Sequence, residues 1–235
     1  MSISVVSYGA GTNSTAMLIG LHESGERPDL ILFADTGGER PETYRHRDAV
    51  SDWCESVGFS RIVTVAEAET LEANCLRRNA LPGIAYGFKS CSDHYKIRPQ
   101  KRWLKAQGVT EPWFWVGIDA GEAHRAKYET TRYPLIEWDW GREECVEAID
   151  RAGLPQPGKS ACFFCPSSKK HEILELKRIH PDLLERALAM EAQAELTSIK
   201  GLGRSWAWAD LVRADDAQID MFRCTAEIPC ECFDG

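Results

Sequence analysis

A β-branched run, Ile3–Val6, passes through Ser7-Tyr8-Gly9-Ala10-Gly11-Thr12-Asn13-Ser14 into the helical pattern of Thr15–His22. A strand that turns through glycine straight into a helix leaves its next strand to pair in parallel, by a crossover, and this restricts the fold more than any bulk property. The pattern recurs. The apolar run Leu30–Ala34 ends in Asp35-Thr36-Gly37-Gly38, after which Glu42–Val57 reads as a helix with Trp53 and Val57 on its apolar side. Arg61–Val65 and Trp113–Ile118 are further short strands by the same reading. The alternation predicts an α/β fold, a parallel sheet with helices on both faces and ligands outside the carboxyl ends of the strands. Both glycine-bearing loops fall at such ends.

The second half changes character. Trp138–Gly153 reads as a helix, Pro155–Pro166 as a loop, and Lys169–Glu195 as a charged helical stretch; beyond Arg213 the pattern is irregular. This gives an α/β core over residues 1–140 and a helical C-terminal cap over 141–235, the two forming one integrated domain. No repeat or low-complexity segment is found. Of 235 residues, 43% are hydrophobic and 27% charged, enough apolar material for a packed core, and the net charge of −8 excludes a protein that coats nucleic acid by general phosphate neutralisation. The start MSISVVSYGAG lacks a basic segment followed by a long apolar one, so the expectation is a cytoplasmic protein with no membrane partner. Nine cysteines in a reducing compartment then point to metal or redox chemistry, not a disulfide framework.

Between strand and helix, Gly9 and Gly11 with the hydroxyls of Ser7, Thr12, Ser14 and Thr15 suit an anion, because amides at a helix start are unpaired and the helix dipole favours negative charge. The loop is neither a Walker loop nor a dinucleotide fingerprint, and a plain turn capped by Ser14 reads similarly. Cys162-Phe163-Phe164-Cys165-Pro166 lets two thiolates face one centre, as in an iron–sulfur run, a thioredoxin-type pair or half of a zinc site. Cys54, Cys75 and Cys145 lie in apolar helical contexts and read as small core residues. His22, His46 and His180 have no partners at metal spacing and read as ordinary surface or packing residues.

Ser7–Thr15 resembles the PP-loop of the ATP pyrophosphatases and phosphoadenosine phosphosulfate (PAPS) reductases, Ser-Gly-Gly-x-Asp-Ser, with Asn13 in place of the Asp. Asp35-Thr36-Gly37-Gly38-Glu39-Arg40-Pro41-Glu42-Thr43 is similar to the Asp-Thr-Gly-x-x-x-Pro-Glu-Thr block of the reductase branch. Lys89–Pro99 resembles the Cys-Cys…Arg-Lys-x-x-Pro block of cluster-bearing sulfonucleotide reductases, with Cys91 on the first cysteine and Ser92 on the second. The matches extend in one collinear order to about Glu191.

The resemblance implies an adenine nucleotide α-hydrolase-like fold and a site for ATP or a sulfonucleotide, with Mg²⁺ as companion ion, built from Ser7, Gly9, Gly11, Thr12, Asn13, Ser14, Thr15, Asp35, Thr36, Gly37, Glu42, Lys96 and Arg98. It implies a [4Fe–4S] cluster on Cys91, Cys162 and Cys165, with Cys230 or Cys232 as fourth ligand, or an open iron that carries sulfur; zinc is the alternative metal. Cys91, Glu122 and Arg125 take catalytic roles, Arg125 as a phosphate fork oriented by Glu122, although a surface ion pair fits these two residues as well. Lys101 and Arg102 extend a basic patch beside Cys91. Tyr133–Trp138 resembles a reductase segment that is core architecture, and Arg204, Trp206 and Trp208 either stack bases or bury against the cap.

The implied activity is ATP-dependent sulfur transfer to a nucleic-acid base or backbone or to a small acceptor, with a sulfur or electron donor protein as partner and a homodimer among the allowed assemblies. One alternative is a sulfonucleotide reductase releasing sulfite, whose C-terminal Glu-Cys-Gly-x-His element is absent from Pro229-Cys230-Glu231-Cys232-Phe233-Asp234-Gly235. The other is a non-catalytic nucleotide- or metal-binding accessory protein.

Overall fold

The computed structural model describes residues 3–85 and 88–226. The chain divides into two compact units, Met1–Glu72 with Gly83–Cys162, and Ala73–Pro82 with Phe163–Gly235. Cys230 and Cys232 lie outside the described residues.

The first unit carries a five-stranded, all-parallel sheet formed by β1 (Ile3–Tyr8), β2 (Leu30–Asp35), β3 (Val63–Ala66) and the strands Pro112–Val116 and Thr131–Arg132. The spatial order is β3, β2, β1, Pro112–Val116, Thr131–Arg132, so chain order reverses across β1. Val5 and Leu32 of the strands face Leu104 of the helix Arg98–Ala106, and Val6, Tyr8, Ile31, Phe33 and Trp115 pack in the opposite core with α1 (Thr12–Glu23), α2 (Pro41–Ser56) and the helix Arg142–Arg151. Burial on both faces is why β2 reads as a continuous apolar run, Leu30–Ala34, instead of an alternating one. The expected α/β architecture is therefore the observed one.

α1 is buried along most of its length, from Thr12 to Leu21. Its Gly20 is obligatory, since a Cβ there would stand 2.4 Å from the Trp138 ring. The segment Trp138–Gly153 is not one helix. A short helix, Pro134–Glu137, ends before Trp138, Asp139 takes a left-handed φ of 55°, and a new helix begins at Arg142 with the Glu144 carboxylate accepting from the Gly141 amide at 2.8 Å.

In the second unit Lys169–Glu195 is likewise two helices, Lys170–Ile179 and Pro181–Gln193, because Pro181 cannot continue a helix but suits the first position of the next. The expectation of an irregular chain beyond Arg213 is overturned as far as Ala226, the last described residue: Trp208–Ala226 is a helix, tied to its neighbour by Lys177 Nζ on Asp215 and Asp216, each at 2.6 Å. Ala209, Leu211, Ala214, Ala217 and Gln218 supply its helix propensity.

Candidate functional site

Three loops of the first unit leave strands at their carboxyl ends: Gly9–Gly11 after β1, Thr36–Arg40 after β2, and Gly117–Asp119 after Pro112–Val116. β1 and Pro112–Val116 are neighbours with opposite senses of chain progression on either side, the position where open α/β sheets leave a crevice. Gly117 fits that junction because a Cβ would come within 2.9 Å of Asn13 and Ser14 backbone atoms.

In the first loop Ala10 has a left-handed φ of 54°, a conformation that costs a non-glycine residue about 1 kcal/mol. The turn aims two amides inward, and the Ser14 hydroxyl accepts from Gly9 N at 3.2 Å and Gly11 N at 3.3 Å. Ser7, at the end of β1, accepts from Gln100 Nε2 at 3.0 Å. Thr12, Ser14 and Thr15 are buried; Thr15 turns away from the loop into the core, within 3.1 Å of the Tyr8 hydroxyl and 3.0 Å of His46 Nε2. His46, read from sequence as an ordinary residue, is thus buried in a polar chain beneath α1, and desolvation holds its pKa below the usual imidazole value. Burial likewise pushes the Tyr8 phenol well above its usual pKa.

Asn13 donates from Nδ2 to Asp119 Oδ2 at 2.8 Å, while Asp119 Oδ1 accepts from the Glu122 amide at 3.0 Å and caps the turn Ala120–Arg125. The Asn13 amide oxygen is buried without a hydrogen-bond partner among the described residues. Glu122 and Arg125 form an ion pair within that same turn, both partly exposed.

In the second loop Asp35 Oδ1 accepts from Gly37 N and from the Tyr44 hydroxyl, each at 2.8 Å, and Gly37 has a left-handed φ of 73°. Thr36 Oγ1 accepts from Gly38 N at 3.2 Å and lies 3.0 Å from Cys162 Sγ. Glu42 occupies the first turn of α2 and accepts from Arg45 at 3.5 Å. Glu39, buried and absent from the sequence-derived set, accepts from Lys96 Nζ at 3.2 Å through Oε1. Arg98 pairs with Asp93 at 2.7 Å. The Lys96 and Arg98 cations are therefore answered by carboxylates of the chain.

Cys91 lies half-buried in the turn Ser90–Ser92 that leads through a wider π-helical turn, Asp93–Ile97, into Arg98–Ala106. Cys162 closes the first unit and Cys165 belongs to the second. Among the described residues no three His, Cys, Asp or Glu side chains are grouped to hold a metal ion. Cys54 and Cys145 are buried, and desolvation lifts both thiols to a pKa of about 12, while Cys75 is buried too. In the second unit Trp208 is fully buried, and Lys170 Nζ stands 5.7 Å from the Trp206 ring.

A cavity of about 810 Å³ lined by Lys101, Leu104, Val109, Trp113 and Phe114 lies at the amino end of Pro112–Val116, the end away from the three loops. The fold and loops define an α/β protein with an open parallel sheet and three loops gathered at its carboxyl edge. No family model matches the chain, and no curated protein is similar to it.

Proposed function

We propose that the chain binds ATP at the Ser7–Thr15 loop and uses it to drive sulfur transfer to a nucleic-acid base or backbone or to a small acceptor. One observation carries the reading. The two segments that resemble PAPS reductase-like motifs leave adjacent parallel strands at the same edge, beside the Asn13–Asp119 contact. The Gly9 and Gly11 amides, now engaged by Ser14, are the donors for the phosphate chain, and a charged phosphate oxygen is a stronger acceptor than a hydroxyl. The positive end of α1 adds to the attraction. Arg125 would exchange Glu122 for phosphate, and Lys96 would keep its charge at the Thr36–Arg40 loop through Glu39.

In the proposed reaction an acceptor oxygen attacks the α-phosphorus and pyrophosphate leaves; hydrosulfide supplied by the donor protein then attacks the activated carbon or phosphorus, the bond to the AMP oxygen breaks, AMP leaves and the sulfur loses its proton. A [4Fe–4S] cluster or zinc on Cys91, Cys162 and Cys165 stays a separate proposal, and no step is routed through it. Iron and zinc analysis of the anaerobically purified protein and its Cys91→Ala, Cys162→Ala and Cys165→Ala variants tests that part.

The activity itself is tested by pyrophosphate release from ATP with RNA, DNA or small-molecule acceptors under anaerobic conditions. Release that depends on an acceptor is the expected result. Bound ATP with no pyrophosphate from any acceptor would sink sulfur transfer and favour an accessory role, while sulfite released from PAPS would replace it with the reductase reading.

A further inference from the structure

The chain that follows helix Arg142–Arg151 returns to the carboxyl edge of the sheet and is fixed at both ends. Gln156 Nε2 donates to Val146 O and Asp150 Oδ1, each at 2.8 Å. Cys162 pairs with Glu39 in an isolated antiparallel bridge and places its sulfur 3.0 Å from Thr36 Oγ1. Between these anchors Ser160 lies directly on the glycine loop. Its hydroxyl donates to the Gly9 carbonyl, and a Cβ on Gly11 would meet the Ser160 Cβ at 3.4 Å, the limit of ordinary contact.

Resting on the nucleotide reading above, we infer that Ser160 is a ligand for the phosphate chain, the second wall of the site whose first wall is Gly9–Ser14. The loop's two inward amides and the Ser160 hydroxyl are the donors brought to one short stretch of backbone. When a phosphate oxygen takes the amides from Ser14, it arrives beside a hydroxyl that needs only a side-chain rotation to donate to it. The Gly9 carbonyl that Ser160 gives up belongs to an exposed residue, so water replaces the lost donor.

Titration calorimetry with ATP, inorganic tripolyphosphate and adenosine, on the wild type, Ser160→Ala and Ser160→Thr, tests the assignment, with thermal unfolding as the check on folding. Ser160→Ala should weaken ATP and tripolyphosphate by about tenfold, the effect of losing one charge-assisted hydrogen bond, and leave adenosine unchanged. Ser160→Thr keeps the hydroxyl and should restore most of the loss. Equal or tighter binding of ATP by Ser160→Ala would mean that the hydroxyl only ties down the loop, and the inference falls while nucleotide binding stands. An equal loss for adenosine would also overturn it. If the wild type binds neither ATP nor tripolyphosphate, the nucleotide reading falls first and takes this one with it.

Discussion

The Asn13 side-chain amide donates to Asp119 Oδ2 at 2.8 Å, a contact that a carboxylate at position 13 could not make without a proton. Asn13→Asp would set two carboxylates at that distance. Unrelieved, the repulsion between unit charges 2.8 Å apart is about 6 kcal/mol at an effective dielectric of about 20. The pair escapes by holding one proton, and protonating a carboxyl of ordinary pKa at pH 7 costs about 4 kcal/mol. The cheaper route sets the ceiling. An acidic residue in the first turn of α1 recovers about 0.5 kcal/mol, so the net destabilisation at pH 7 should be about 3–4 kcal/mol.

The pH dependence follows from its sign. The shared proton raises the folded-state pKa above the unfolded one, so stability is complete below about pH 4, is lost as pH rises toward the folded pKa, and is level above it. Urea unfolding of wild type, Asn13→Asp and Asn13→Ala between pH 4.5 and 8 measures this. The Asp variant should lose about 1.4 kcal/mol per pH unit relative to wild type until it levels off, whereas the Ala variant, which removes the hydrogen bond without adding charge, should show a constant offset. A flat offset for Asn13→Asp, or one smaller than that of Asn13→Ala at pH 7, would refute the contact as described.

Two further outcomes are expected. Glu191 is buried in the second unit and its carboxylate accepts from Leu202 N at 2.6 Å, Trp208 N at 2.9 Å and Ala209 N at 3.0 Å, so Glu191→Ala should destabilise by about 3–5 kcal/mol by stranding three amides, and Glu191→Gln by less, as read from urea unfolding. A loss under about 1 kcal/mol for the Ala variant would contradict a capping role at the start of Trp208–Ala226. With thiols lifted to about 12, Cys54 and Cys145 should resist Ellman's reagent at pH 8 in the native protein and react only in denaturant; rapid native labelling of either, mapped by mass spectrometry, would refute their burial.

The sheet was legible in the sequence because its first strands are short runs rich in Val, Ile and Leu that end near glycine, a local pattern. Thr131–Arg132 was not legible, as two residues carry no period. The helix breaks at Asp139 and His180 were hidden for different reasons: nothing in an aspartate announces a left-handed turn, and the signal of Pro181 was outweighed by the charged helical pattern on both sides of it. In the candidate site the glycines and hydroxyls of Ser7–Thr15 stand out in the sequence as a strand-to-helix loop, and it is their resemblance to a motif, not their spacing, that suggests a nucleotide. Asp119, Gln100, Glu39 and Ser160 do not stand out, since each touches the site across a separation of scores of residues and none belongs to a repeating pattern. Arg125 shows the converse: its type suggested a phosphate ligand, and its position beside Glu122 gives it a partner already.

The pairing of β1 with Pro112–Val116 has a consequence for the order in which a nascent chain acquires its parts. β1, β2 and β3 can associate as soon as the first strands emerge, since their partners are near in sequence. The other side of β1 stays an open edge until the ribosome has delivered Pro112–Val116, and Asn13 waits just as long for Asp119. Closing so distant a contact is slow, and an unpaired strand edge is prone to mispairing while it lasts. The glycine loop therefore reaches its final contacts only after Ser160 has left the tunnel, about 150 residues later in the chain.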